Sequence, residues 1–184
     1  LNVSTVLDNN NDITLSMNFI DSNEISKFYI VEGKEFDANT KGVWLDNFFA
    51  QENNLKIGDT LKIKYDGYVF EEEVVGFINV PDHLYDVKDE SQLYPDHKSF
   101  GFAYASTKEL EEYIKNKVMK EMNITDTELF EQYVTDFDYT DYLKYNCIMV
   151  DVDNKDKTND VKNDIEEKME NAGREKEERN LKKI

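Results

Sequence analysis

Cysteine, histidine and proline are scarce in this chain. Its 184 residues include one cysteine, two histidines and two prolines. A single cysteine cannot form an internal disulfide, so the fold is not a disulfide scaffold. The cysteine, Cys147, lies in an apolar run over residues 147–150, and such a position is typical of an inert, buried thiol. We therefore expect no catalytic thiol, and cysteine usage leaves the cellular compartment open.

Positive charge is scarce as well. Lysine and arginine number 22 against 40 aspartates and glutamates, which gives a net charge of −18. Because nucleic acids and anionic membrane surfaces are themselves negative, we exclude both as partners. Residues 161–184 contain seven basic and seven acidic residues, so the preceding part of the chain carries the whole excess. The simplest interpretation is a solvated acidic surface, which we prefer to a dedicated cation site.

Long apolar runs and catalytic motifs are also missing from the sequence. No stretch approaches the roughly 20 apolar residues of a membrane-spanning helix, so we expect none of these 184 residues to cross a membrane. The chain begins at Leu1, from which we expect a segment of a longer protein or a processed N-terminus. The sequence has no Gly-rich phosphate loop, Gly-x-Ser-x-Gly elbow or Cys-x-x-Cys pair. We therefore predict a protein that is not an enzyme and has no cofactor.

Apolar periodicity predicts both strands and helices. Strands are predicted over residues 13–20, 27–31, 60–65, 68–78, 99–105 and 145–152. The pair Asp66-Gly67 is typical of a tight hairpin turn between two of them. Helices are predicted around residues 161–169 and after the N-cap residues Asp46, Ser106 and Thr125. A strand-rich start, a helical middle and a final strand–helix pair predict an α+β fold.

Neither the histidines nor the acidic loop near residue 151 predicts a metal site. His83 and His97 each follow an aspartate, but no fixed spacing relates them to a third ligand. Residues 151–156 resemble a calcium loop only in part, because that motif needs an oxygen ligand at position 5 and a glutamate at position 12. Lys155 and Lys162 occupy those positions here. We therefore interpret the histidines and this loop as polar surface.

Acidic and aromatic residues are interleaved around residue 140. Two of the carboxylates could serve glycoside hydrolysis. Alternatively, carboxylates and ring faces could bind a cationic or amphipathic ligand. In the simplest interpretation the rings pack inward and the acids face water. The second interpretation makes this segment our candidate ligand or partner surface, formed by Asp136, Phe137, Asp138, Tyr139, Asp141 and Tyr142.

Five short segments of the first half follow one order along the chain. They read EGKEF, GVWLD, FA, NLKIGDT and FEEEVVG, at residues 32–36, 42–46, 49–50, 54–60 and 70–76. In this order they resemble the extracytoplasmic core domain of FtsX-like, MacB-type ABC transporter permeases. In that family a glycine-bearing turn precedes a short helix, and a Leu-x-x-Gly-Asp corner leads into a hairpin. Residues 104–106 and 146–169 are similar to the closing elements of the family, and residues 111–145 have no counterpart.

The resemblance implies a single extracytoplasmic domain, residues 1–184, with two lobes. An α/β lobe would come from both chain ends, residues 1–30 and 142–184. A β-rich lobe would be inserted between them at residues 31–141, with a helical insertion at residues 107–141. The matching motifs are turns and not catalytic residues.

The resemblance also implies where such a domain works. It would lie on the extracellular face of the bacterial cell membrane, attached to transmembrane helices of a parent permease that acts as a dimer. A separate ATPase subunit or domain would hydrolyse ATP. The domain would recognise a substrate or partner and couple ATP-driven motion across the membrane without catalysis. Two alternatives stay open: a free-standing secreted or surface α+β binding module, and a hydrolase that uses the acids of residues 136–141.

Overall fold

The structure is a computed structural model, and it describes residues 2–6, 12–65, 68–83, 85, 87–88, 91–128, 130 and 149–181. Contacts divide the chain into two units, Leu1–Cys147 and Ile148–Ile184. The first unit contains the described strands and the first two α-helices, and the second contains the last α-helix. Strands joined in one mixed sheet, together with separate helices, confirm the predicted α+β class.

Seven strands and three α-helices follow one another along the described chain. The strands are β1 (Asn2–Val6), β2 (Asp12–Ile20), β3 (Tyr29–Gly33), β4 (Val43–Asp46), β5 (Thr60–Tyr65), β6 (Tyr68–Asn79) and β7 (Phe100–Ser106). The helices are α1 (Asn47–Glu52), α2 (Thr107–Glu121) and α3 (Thr158–Leu181).

The strands form one sheet whose pairing closes on itself. The order is β3-β6-β4-β7-β2-β1-β5, and β5 also pairs with β6. Six strands therefore complete a ring, and β3 is added to the second half of β6. The pairs β2–β7 and β4–β6 are parallel, while β1–β2, β1–β5, β3–β6, β4–β7 and β5–β6 are antiparallel. Ring closure pairs each of the six ring strands with two neighbours, which reduces the unpaired backbone groups that an open sheet would expose at its edges.

Two apolar clusters lie on the two faces of this sheet. The inner cluster collects side chains from β2, β4, β5, β6, β7 and α1, so it fills the inside of the ring. The outer cluster packs Phe28 and Phe36 against the other face of β4, β6 and β7. Strand β4 shows the division, because Val43 and Leu45 belong to the inner cluster and Trp44 to the outer one. Successive side chains of a strand point to opposite faces, so this short strand contributes to both cores.

Side-chain caps begin α1 and α2 at the predicted residues. The Asp46 carboxylate accepts a hydrogen bond from Phe49 N at 3.1 Å. The Ser106 hydroxyl accepts one from Glu109 N at 3.2 Å. Both bonds satisfy an N–H group that the first turn of a helix leaves without a backbone partner. The two predicted caps are therefore confirmed, and so is the hairpin, because the β5–β6 register pairs residue 65 with residue 68.

The sheet also contains two strands, β1 and β4, that go beyond those predicted from sequence. β4 has four residues and is buried throughout, so no period-two alternation marks it. In β1 the apolar residues stand three positions apart, at Val3 and Val6, which likewise hides the strand period.

The predicted strand over residues 145–152 is wrong in its described part. Residues 149–152 form no strand, and Met149 and Val150 are half-exposed. An apolar run becomes a strand only where neighbouring strands and a buried face support it. Residues 145–148, and most of the helix predicted after Thr125, lie outside the described residues.

The sheet crosses the first predicted lobe boundary, at residue 30. β2, from the predicted α/β lobe, pairs along its length with β7, from the predicted β-rich lobe. The second boundary, at residue 141, lies outside the described residues, as does part of the predicted helical insertion. The division into lobes stays a prediction.

Two glycines with positive φ allow a matched test of packing against β6. Gly42 has φ +112, and a Cβ there would come within 2.6 Å of Glu73 O. Gly58 has φ +89, and a Cβ there would meet nothing within 4 Å. We expect Gly58→Ala to cost roughly 1–2 kcal/mol of unfolding free energy from backbone strain, and Gly42→Ala a further ~1–3 kcal/mol from overpacking. Urea unfolding followed by tryptophan fluorescence measures both, and equal losses would contradict the packing of Gly42.

Candidate functional site

A cleft of about 560 Å³ lies between α2, the first half of β6 and the turn before β4. Its lining is mixed polar and apolar, and its charged side chains carry both signs. The cleft is open to solvent on one side, since Lys41 and Glu112 are exposed there. The lining residues are Lys41, Gly42, Val69, Phe70, Glu71, Glu72, Glu73, Glu109, Glu112, Tyr113, Asn116, Lys117 and Lys120.

Helix α2 supplies one continuous face to this cleft. Residues three and four positions apart share a face of an α-helix. The helix begins at the Ser106 cap, so its register is fixed from the first turn. Its cleft face consists of Glu109, Glu112, Tyr113, Asn116, Lys117 and Lys120.

Strand β6 supplies a buried carboxyl group to the same cleft. Glu72 alternates with Phe70 and Val74, both of which pack with the inner cluster. It also stands directly opposite Leu61 of β5, a fully buried core residue. Glu72 is therefore on the core side of the ring, and only 5% of its surface is exposed.

Glu72 is hydrogen-bonded to Glu109 and Tyr113 of α2. The side chains of Glu72 and Glu109 share a hydrogen bond, and the Tyr113 hydroxyl donates to Glu72 Oε1. A hydrogen bond between two carboxyl groups requires a proton on one of them. Of the two residues, Glu72 is the more deeply placed in the apolar core, so it is the natural holder of that proton.

Burial and neighbouring negative charge raise the pKa values of Glu72 and Glu109. Burial raises the pKa of Glu72 to about 8, and the adjacent Glu109 carboxylate contributes in the same direction. Burial also raises the pKa of Glu109, with a further contribution from Glu112. Lys41 lowers both pKa values, but it does not outweigh the loss of hydration.

Lys41 is held at the mouth of the cleft by Glu112. Its ammonium group lies 2.6 Å from Glu112 Oε2 and 2.8 Å from Oε1. The hydrogen bond and charge of Glu112 raise the pKa of Lys41. Both side chains are exposed, and exposed pairs contribute little to stability. The Lys41–Glu112 pair therefore lies at the mouth of the cleft and contributes little to the stability of the fold.

Tyr113 joins α2 to the ring by aromatic contacts. Its ring stacks on Phe70 of β6 at 4.4 Å between centroids. Phe19 of β2 meets the same ring edge-on at 6.4 Å. The ring thus packs against two strands while its hydroxyl reaches Glu72.

His83 and His97 contact different residues and do not form a common site. His83 stacks on Phe102 at 4.3 Å and its Nε2 is 3.1 Å from the Tyr104 hydroxyl. His97 Nδ1 lies 3.5 Å from the buried Asp46 carboxylate. In the described part of the chain, no group of three or more His, Cys, Asp or Glu side chains could hold a metal ion.

The candidate ligand surface predicted from sequence lies outside the described residues, and it stays a prediction. Its members are Asp136, Phe137, Asp138, Tyr139, Asp141 and Tyr142. The structure brings together Glu72 and Glu109, which no sequence motif marks as a pair. Strand periodicity contains a signal for the first of them, because Glu72 takes an inward position between Phe70 and Val74.

Comparison with known proteins adds no relative to these observations. No family model matches the chain, and no curated protein matches it. Within the described residues, no helix has the length and apolarity to cross a membrane.

The arrangement can hold one proton at neutral pH beside an open cleft. A carboxyl group that stays protonated near pH 7 is a hydrogen-bond donor, and it becomes a buried anion when the proton leaves. The protonated carboxyl group therefore lies in the contact between β6 and α2.

The raised pKa of Glu72 predicts that stability falls as pH rises. Between its ordinary pKa of 4.5 and its folded pKa of about 8, the folded chain keeps a proton that the unfolded chain has lost. Folding stability therefore decreases with pH across this window and levels off above it. Glu72→Gln removes the titrating group and keeps a donor for Glu109. We expect this variant to be more stable relative to wild type at about pH 9 than at about pH 5.

Glu73→Gln is the matched control, because it removes the same charge from the neighbouring, exposed position of β6. Chemical denaturation of the wild type and both variants at the two pH values measures the effect. A pH dependence in Glu72→Gln that equals that of Glu73→Gln would show that Glu72 does not hold the proton.

Proposed function

We propose that this chain is a non-catalytic extracytoplasmic domain of a bacterial ABC transporter permease of the FtsX-like, MacB type. In this role it recognises a substrate or partner outside the cell and couples ATP-driven motion across the membrane. Transmembrane helices of the parent protein hold it at the extracellular face. A separate ATPase subunit or domain hydrolyses ATP, and two permease subunits form the working dimer.

The contacts among the motif segments support this proposal. Lys34 N donates to Val75 O at 3.0 Å, and the Trp44 indole N–H donates to Lys34 O at 2.8 Å. Gly58 N donates to Val74 O at 2.8 Å. Segments that are separate in sequence thus form one hydrogen-bonded layer around the second half of β6, which we call the motif layer (residues 32–36, 42–46, 54–60 and 74–76).

Backbone hydrogen bonds and aromatic packing hold the motif layer together. The Leu-Lys-Ile-Gly-Asp-Thr corner is tied to β6 by a reciprocal pair of hydrogen bonds, because Val74 N also donates to Asp59 O at 2.8 Å. Phe36 packs on Trp44 at 4.9 Å between ring centroids, and Trp44 is fully buried. These residues act through packing and backbone contacts. The motifs that resemble the permease domain are structural turns, and these contacts give them a structural role.

The charge of the chain is consistent with the proposed partners. A net charge of −18 repels nucleic acids and anionic surfaces and attracts cationic groups. We therefore extend the proposal to a cationic or amphipathic ligand. Residues 136–142 remain the candidate contact surface for it.

The location can be tested on the full-length protein in its own cells. In a Cys147→Ser background, Leu93→Cys places a thiol at a position that is 90% exposed. We expect a membrane-impermeant maleimide to label this thiol on intact cells, and the protein to stay in the membrane fraction after an alkaline wash. Ala105→Cys, at a fully buried position, is the matched control and should react only after denaturation.

Three results would contradict the proposal. Labelling of Leu93→Cys only after the cells are permeabilised would place the domain inside the cell. Release of the protein into the medium or by the alkaline wash would favour the free-standing surface or secreted module. A parent reading frame without flanking apolar segments of about 20 residues would exclude the permease as well.

A further inference from the structure

Glu72 of β6 and Glu109 of α2 are both buried, and both line the cleft where the helix meets the strand ring. We propose that the Glu72–Glu109 pair is a proton-dependent latch, which holds α2 against the ring while the carboxyl groups share a proton and releases it when the proton leaves. Release widens the cleft and exposes the face of α2 that lines it. The latch is independent of the membrane location proposed above.

The position of α2 allows such a movement. Helix α2 follows β7 directly and is fixed there by the Ser106 cap. Further along, its buried residues Val118 and Met119 pack with Phe130 in a small cluster of their own, separate from the two sheet cores. Between these points, Glu109 and Tyr113 connect the helix to β6. Loss of the carboxyl bond therefore removes a contact in the part of the helix that lies over the ring.

The charges around the pair favour separation after the proton has left. Helix α2 turns Glu109, Glu112, Lys117 and Lys120 toward the cleft, and the turn before β4 contributes Lys41. Lys41 is already bound to Glu112. Ionised Glu72 and Glu109 would then face each other as two like charges in hydrogen-bond contact, which two carboxylates cannot sustain without a proton or a cation.

Two further charged groups near Glu72, Glu71 and Glu73, also line the cleft. Glu71 and Glu73 are exposed neighbours on β6, and Glu71 pairs with Lys62 of β5 at 3.7 Å. Tyr113 donates its hydroxyl hydrogen to Glu72 and also stacks on Phe70. Tyr113 can therefore maintain part of the contact between α2 and β6, but its neutral hydroxyl cannot neutralise the charge of two ionised carboxylates.

The burial of Glu72 sets the pH at which the latch acts. Its pKa of about 8 means that the latch is closed at neutral pH and opens as the solution becomes alkaline. For a transition linked to the loss of one proton, the open-to-closed ratio rises by up to about tenfold per pH unit.

Distance measurements between spin labels on the 184-residue chain test this proposal. In a Cys147→Ser background, labels at Asn116→Cys on α2 and Lys64→Cys on β5 report the separation of helix and ring, since both positions are exposed. We expect a single short distance at about pH 6 and a growing long-distance population at about pH 9. Glu52→Gln, at an exposed position of α1 that does not line the cleft, should behave as the wild type does.

Glu72→Gln keeps a donor toward Glu109 without a titrating proton, so its distance should stay short at both pH values. If that variant does not fold, Glu109→Gln serves instead, because its amide donates to the Glu72 carboxylate and removes the second charge. Fluorescence of the buried Trp44 must stay unchanged over the same range. A distance that does not change with pH, a change that persists in both glutamine variants, or a simultaneous loss of Trp44 burial would overturn the latch.

Discussion

The pairing of β6 with three other strands is the constraint on which the rest of the structure depends. Its first half pairs with β5, and its second half pairs with β3 on one side and β4 on the other. Each buried backbone group left without a partner would cost roughly 1–3 kcal/mol, so all twelve residues of β6 must stay extended. Ring closure, the separation of the two cores and the position of the cleft all follow from this one strand.

Sequence patterns predicted the parts of the fold that depend on local chemistry. The strand that contains Leu61 and Ile63, the caps at Asp46 and Ser106 and the hairpin between β5 and β6 each have a short-range signal, and the structure has each of them. Strand β4 has no such signal, because it is buried on both faces and becomes a strand through its neighbours. The closure of the ring depends on pairing between distant segments, such as β1 with β5, and no local pattern contains that information.

The contact between Glu72 and Glu109 could not be predicted from the sequence for a related reason. Period-two alternation places Glu72 on the inner face, but the run Glu71-Glu72-Glu73 reads as solvated surface in the sequence. Its partner Glu109 looks like the glutamate of a capping box, which is a structural role. Only the tertiary contact between β6 and α2 turns two ordinary glutamates into a shared-proton pair. A buried ionised carboxylate would be costly, and retention of the proton removes most of that cost at neutral pH.

The proposed coupling role needs both a stiff body and an element that can move. The ring with its two packed cores is the stiff body, because close-packed interiors deform little and transmit strain. In the proposed latch, helix α2 is the element that moves, since Glu109 and Tyr113 connect it to β6 next to an open cleft. Glu72 lies two residues from Val74, where β6 enters the motif layer. The proposed latch and the turns that carry the family resemblance are therefore on adjacent halves of one strand.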